Sequence, residues 1–288
     1  MIFQELFKTY IQLNEPLLSS QTLKTYHSIN RKHFAQFQEK QIGSLNFTDY
    51  QIFINNLLKS GLKTKTVKNI KALLSVMYNL AIQINKTEKN PLKAVKLPKF
   101  DNKRYFNKSI QTQKYIIDCI KHYHKTSDNP FSDVLFFLLH GRRLGEVLKL
   151  RWNMVDLYTG VYMIPSAINK AKQNQVHLMT DDLKLMLFKR YDKYYRDDEQ
   201  LVFENPFTKK GYSNFRKSWK RFLKDNNLPD MRLHDIRHLI ATYSVNHLNV
   251  PVEHVSKVLG HTDITTTQKY LTLSHSISKT VIDRVLEA

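Results

Sequence analysis

Apolar residues recur at helical spacing through most of the chain. Leu23, Tyr26, Ile29, His33, Phe34 and Phe37 follow three- and four-residue steps, which predicts one helix face. Ile52, Phe53, Ile54, Leu57 and Leu58 mark a second helix, which Thr48 or Asp49 can cap and Gly61 ends. A third runs from about 64 to 84, with Val67, Ile70, Leu73, Leu74, Met77 and Leu80 on one side. The pattern breaks over 88–104, where Pro91 and Pro98 cannot continue a helix. Helices are expected again at about 109–124 and 131–140. Residues 154–157, 161–164 and 175–179 then change to β-branched or alternating character between turn-like segments. Further helices are expected at about 181–196, 213–226, 234–248, 251–259, 264–272 and 276–286. No internal repeat interrupts this order. The predicted fold is mainly α, with a helical domain over 1–99, a linker over 88–104, and a mixed helical domain over 105–288. The second domain carries a small three-stranded antiparallel sheet.

Composition narrows the partner. The chain has 288 residues, 42% hydrophobic and 24% charged, as folded proteins do. The longest apolar run, 134–139, is too short to span a bilayer. Glu5 comes early and no apolar signal core follows, so no secretion signal is expected. Cys119 is the only cysteine, which excludes an internal disulfide framework and favours a cytoplasmic setting. The formal net charge is +20. Seventeen bases and 6 acids lie up to Arg104, against 28 and 19 beyond it, so both parts are basic. A polyanion touching both parts explains that balance, because each neutralised phosphate releases counterions. Lys63, Lys65, Lys68 and Lys71 stud the start of the third helix, where cations oppose the macrodipole. Their placement suits an anionic partner better than helix stability. Lys96, Lys99, Lys103 and Arg104 make the linker basic as well.

Four segments carry candidate chemistry: His140–Glu146, Asn169–Lys172, His234–His238, and Leu259-Gly260-His261 with Tyr270 nine residues after the histidine. His234 and Arg237 are three apart and share a helix face, so a guanidinium and an imidazole stand together. Such a pair can hold a phosphate oxygen and move a proton. Arg143 follows Gly141 at a helix start, where backbone N–H groups also favour anions. Two arginines on a phosphodiester stabilise the charge that builds as phosphorus becomes five-coordinate. Lys170, in the turn between the last two strands, can protonate a leaving oxygen. Tyr270 offers a hydroxyl able to attack phosphorus and hold it covalently.

These boxes resemble those of the tyrosine recombinase, or phage integrase, family. Its Gly-x-Arg-x-Gly/Ser-Glu box is met by Gly141, Arg143, Gly145 and Glu146. Its His-x-x-Arg-His box is met by His234, Arg237 and His238, and its Leu-Gly-His, Thr-Thr and Tyr box by Leu259, Gly260, His261, Thr266, Thr267 and Tyr270. The resemblance covers about 105–288; the first hundred residues resemble the family's helical, SAM-like DNA-binding domain in pattern only. It implies that Tyr270 attacks a scissile phosphate and leaves a free 5′-hydroxyl. Arg143 and Arg237 would bind the non-bridging oxygens, Lys170 would protonate the departing oxygen, His234 would assist proton transfer, and His261 would hydrogen-bond the phosphate. Glu146 and His238 would support the site. It implies double-stranded DNA as partner, with Lys63, Lys65, Lys68, Lys71, Lys99 and Arg142 as further contacts. It also implies a homo-oligomer, a tetramer on paired sites, assembled through residues 276–288. Neither a metal nor another cofactor is implied. Arg142 departs from the pattern, since family members often carry an apolar residue there, and Lys172 competes with Lys170.

Plainer readings stand beside these. Tyr270 is one of 15 tyrosines, and a tyrosine on an amphipathic helix is usually core. Arg143 can pair simply with Glu146. His234 and His238, at i and i+4, can hold a metal, though no motif completes the shell. Cys119 lies among isoleucines and reads as a small buried residue. Two other functions fit the same residues: a DNA-binding protein that cuts nothing, and a type IB topoisomerase that relaxes supercoils.

Overall fold

The computed structural model describes residues 1–100, 108–169, 171–260, 263 and 267. Lys103, Arg104, Lys170, His261, Thr266, Tyr270 and the helices expected at 264–272 and 276–286 lie outside the described residues. The chain divides into two compact units, Met1–Arg104 and Tyr105–Ala288.

Among its described residues, unit 1 has the α-helices α1 (Phe3–Asn14), α2 (Ser20–His33), α3 (Phe47–Lys59) and α4 (Thr64–Gln83). α1 was not among the segments singled out above, although Phe3, Leu6, Phe7 and Tyr10 have the right spacing and all are buried. α2 ends at His33 and buries no residue completely; Phe34 and Phe37, expected on its face, are buried in the following turn. α3 is capped by Asn46, not by Thr48 or Asp49. The Asn46 side chain accepts from the Thr48 and Asp49 backbone N–H groups, and the Asp49 carboxylate accepts from Asn46 N–H. α4 buries Val67, Ile70, Leu73, Leu74, Met77, Tyr78 and Ala81. Each large apolar side chain so buried is worth about 1.5–3 kcal/mol.

The stretch expected as a free linker is anchored to unit 1 over 90–96. Leu92 and Val95 are buried in its core. Asn90 Nδ2 donates to Ser75 O and Asn79 Oδ1, and Lys96 N–H donates to Gln51 Oε1. Lys71 Nζ donates to Val95 O at 2.5 Å, so this lysine ties the chain down.

Unit 2 continues with α5 (Ile110–Thr126), α6 (Pro130–Leu138) and the short α7 (Leu144–Val147). Strands β1 (Val155–Asp156), β2 (Val161–Ile164) and β3 (Gln175–Leu178) form an antiparallel sheet in that order. Tyr162 of β2 stands opposite His177 of β3. Among the described residues there follow α8 (Asp181–Tyr194), α9 (Arg216–Asp225), α10 (Asp235–Asn246) and α11 (Val252–Leu259). The core draws on α5, α6, the sheet, α8 and α9, with Cys119 buried in it as expected. Ala241, Val245, Val255 and Leu259 zip α10 to α11. Tyr191 and Tyr195 stack on each other and pack edge-on against Trp152. No described helix is long and apolar enough to cross a membrane.

Candidate active site

Glycine opens the first box. α6 stops at Leu138, and Gly141 turns the chain with φ +78°, a conformation that suits glycine. A Cβ there would lie 2.7 Å from the Leu259 side chain, so residue 141 must be small for the first and third boxes to meet. His140, in the turn after the helix, has Nε2 2.9 Å from Thr180 Oγ1, and burial lowers its pKa.

Arg143 then caps α7. Its backbone N–H donates to Glu146 Oε2 at 3.0 Å, and its guanidinium donates to Glu146 Oε1 at 2.7 Å. The Glu146 side chain is 2% exposed, whereas that of Arg143 is 23% exposed. One carboxylate therefore fixes both the backbone and the head of an arginine that still reaches solvent. α7 has only four residues, so its dipole adds little to anion binding; the guanidinium is the cation that matters here.

The second box sits behind the first. Trp219 Nε1 donates to Met231 O at 2.6 Å and anchors the loop before α10. His234 caps α10 and keeps exposed surface, and its ring meets His238 edge-on at 5.0 Å. Burial of the ring, then the neighbouring His238 and Arg237, push the His234 pKa down to about 4. Burial lowers His238 as well. Both imidazoles are neutral at pH 7.

Arg237 joins the boxes. It is 3% exposed, and its terminal nitrogens donate to Gly141 O and Leu259 O, each at 2.5 Å. α11 ends in Gly260 with φ +63°, against the Gln175 side chain at the start of β3, whose Nε2 donates to Gly260 O at 3.3 Å. The residues leading to His261 are thus held by Arg237 on one side and by the β2–β3 hairpin on the other. Within that hairpin the buried Asn169 amide donates to Pro165 O and Gln173 O, both at 2.8 Å, and closes the loop. Lys172 is exposed with φ +52°.

Other expected residues lie elsewhere. Lys63, Lys65, Lys68 and Lys99 are exposed in unit 1, and Lys71 is half-buried on Val95. Arg142 corrects the expectation of a DNA contact: it is 2% exposed and its guanidinium is engaged with the protein. The helix expected at 213–226 is α9, and the bases it presents were not among the expected contacts: Arg216, Lys217, Lys220, Arg221 and Lys224 are all exposed while Trp219, Phe222 and Leu223 are buried. Bases at i, i+1, i+4, i+5 and i+8 were the available signal. Among the described residues, no group of three or more His, Cys, Asp or Glu side chains could hold a metal ion.

The chain resembles known proteins along most of its length. The model of the phage integrase family matches residues 105–276. The tyrosine recombinase XerD of Staphylococcus haemolyticus is 23% identical over 95% of this chain and 94% of its own. The ICEBs1 integrase of Bacillus subtilis is 26% identical over 83% and 70%. Among solved structures, the Tn1549 transposon integrase in complex with transposon right end DNA superposes with a TM-score of 0.76 at 16% identity, over 99% and 100% of the two chains. A lambda integrase tetramer bound to a Holliday junction reaches 0.72 at 15% identity, over 94% and 77%. These likenesses show a shared fold.

Proposed function

This chain belongs to the phage integrase family, and from that premise we propose that it is a site-specific recombinase, cutting and rejoining double-stranded DNA through a covalent bond to Tyr270. The observation that carries the proposal is the placement of Arg237. One buried guanidinium grips the Gly141 carbonyl two residues before Arg143 and the Leu259 carbonyl two residues before His261. The described parts of three boxes far apart in sequence thereby meet, which supports the reading that they serve a single phosphodiester.

In this reading Arg143, oriented by Glu146, binds a non-bridging oxygen as charge builds on phosphorus, while Arg237, whose terminal nitrogens brace Gly141 O and Leu259 O, adds its positive charge from within the protein. The Tyr270 oxygen attacks, a 3′-phosphotyrosine forms, and the 5′-oxygen leaves with a proton from Lys170 or Lys172. His234, neutral in the free protein, accepts a proton more readily once a phosphate anion offsets the neighbouring arginine. His261 hydrogen-bonds the phosphate, and His238 packs against His234. A 5′-hydroxyl from another strand then attacks the phosphotyrosine, which conserves the bond energy. Lys63, Lys65, Lys68 and Lys99 of unit 1 and the exposed bases of α9 supply the backbone contacts. Unit 1 acts as the DNA-binding domain, and residues 276–288, with Ile277, Val281, Ile282, Val285 and Leu286 on one face, dock on a neighbouring copy to build a tetramer. The reaction takes place in the cytoplasm, where the DNA is.

A nicked suicide substrate tests the proposal. The wild-type chain should become trapped on DNA, and Tyr270→Phe should bind without trapping. Binding without trapping by the wild type would instead mark a catalytically silent DNA-binding protein. Relaxation of supercoils by isolated monomers would mark a topoisomerase.

A further inference from the structure

Arg142 is a buried cation, and among the described residues no carboxylate makes a salt bridge with it. Its Nε donates to His140 O at 3.2 Å, one terminal nitrogen lies 2.5 Å from His177 Nε2, and the other donates to Val258 O. Desolvating a guanidinium is expensive, and a leucine of similar reach would avoid the cost. Carbonyls and an imidazole answer it only if the imidazole accepts. A guanidinium has donors alone, so His177 Nε2 must present its lone pair and carry its proton on Nδ1. Burial first, then Arg142, push the His177 pKa down to about 4, consistent with a neutral ring. The ring rests on Tyr162, which is buried in the sheet opposite it.

The three partners belong to three elements. His140 precedes the Arg143 turn, His177 is on β3 at the foot of the hairpin that carries Lys170 and Lys172, and Val258 closes α11 ahead of His261. We propose that Arg142 and His177 form a positioning latch, fastening β3 and the carboxyl end of α11 to the Arg143 turn. The pair acts through those elements and touches neither DNA nor the reacting atoms. The inference rests on the recombinase reading for its effect on rate, and on geometry alone for its effect on α11.

The test compares R142L, H177Q, H177F and the double variant R142L/H177F in the full chain. On a nicked substrate, R142L and H177F should bind DNA with unchanged affinity and salt dependence but trap about 10–100-fold more slowly, the loss that small misplacement produces. H177Q keeps an acceptor and should retain most of the rate. The double variant should be no slower than either single one, because both break one unit. Amide hydrogen exchange over 252–260 should quicken in R142L and H177F and stay slow in H177Q. Trapping by R142L at the wild-type rate would overturn the latch. So would weakened DNA binding with a shallower salt slope, the mark of a phosphate contact. If the wild type itself never traps, the recombinase reading fails, and the exchange pattern judges the latch on its own: uniform exchange across the variants overturns it.

Discussion

Arg237 donates to the carbonyl oxygen of Gly141 at 2.5 Å across 96 positions of sequence. Its second bond, to Leu259 O, makes the residue a brace as well as a charge. Arg237→Ala should therefore destabilise the protein by about 2–4 kcal/mol, since buried carbonyls lose charged donors. Arg237→Lys keeps the charge but cannot span both carbonyls. It should slow trapping at least about 100-fold. Denaturant unfolding alongside the trapping assay checks both, and a lysine variant with wild-type rate and stability would refute the brace.

Glu146 fixes Arg143 by two bonds, one to its backbone and one to its head. Glu146→Ala should slow trapping about tenfold or more and cost about 1–3 kcal/mol, because a backbone donor and a guanidinium lose their acceptor together. Glu146→Gln keeps one acceptor oxygen and should fall between alanine and wild type. Equal rates for the two variants would show that the carboxylate's geometry is irrelevant.

Gly260 combines a left-handed backbone with a close neighbour. A Cβ there would meet Gln175 Oε1 at 2.4 Å. Gly260→Ala should destabilise by about 1–3 kcal/mol from backbone strain and overlap. Adding Gln175→Ala should recover the part due to overlap and leave the strain. A double-variant cycle with no coupling would place the two residues out of contact.

Stability should fall in mild acid. His140, His177, His234 and His238 all have lowered pKa values, the second and third pushed down to about 4. Above pH 6.5 neither the folded nor the unfolded chain protonates them, so they contribute no pH dependence. Below 6.5 the unfolded chain binds protons that the folded chain refuses, and unfolding is favoured down to about pH 4. Each of His140, His177 and His238 adds at most about 1.4 kcal/mol per pH unit, and His234, which is exposed, adds less because solvent screens it. Unfolding free energies at pH 7.5, 6 and 5 measure the slope, and His177→Gln should reduce it. An unchanged slope in that variant would mean the ring is charged when folded.

The sequence displayed the site through short-range spacing and concealed what depends on remote partners. Arg143 and Glu146, or His234 and Arg237, are within one helical turn of each other, so their association is written locally. The strand at 161–164 was legible because its alternation matched a sheet with one buried face. Arg142 looked like a surface base because the carbonyl that draws it inward belongs to Val258, 116 positions away. Lys71 was misread for the same reason, with its acceptor at Val95. The bases of α9 become a face only once Trp219, Phe222 and Leu223 are seen to be buried against the core, which leaves Arg216, Lys217, Lys220, Arg221 and Lys224 outside.

Asn169 holds both ends of its loop with a single amide. A loop buttoned at its base cannot widen there without breaking both bonds. One buried side chain thus sets how far the ends of two strands can part. Shortening it to alanine should leave the β2–β3 connection slack at its root.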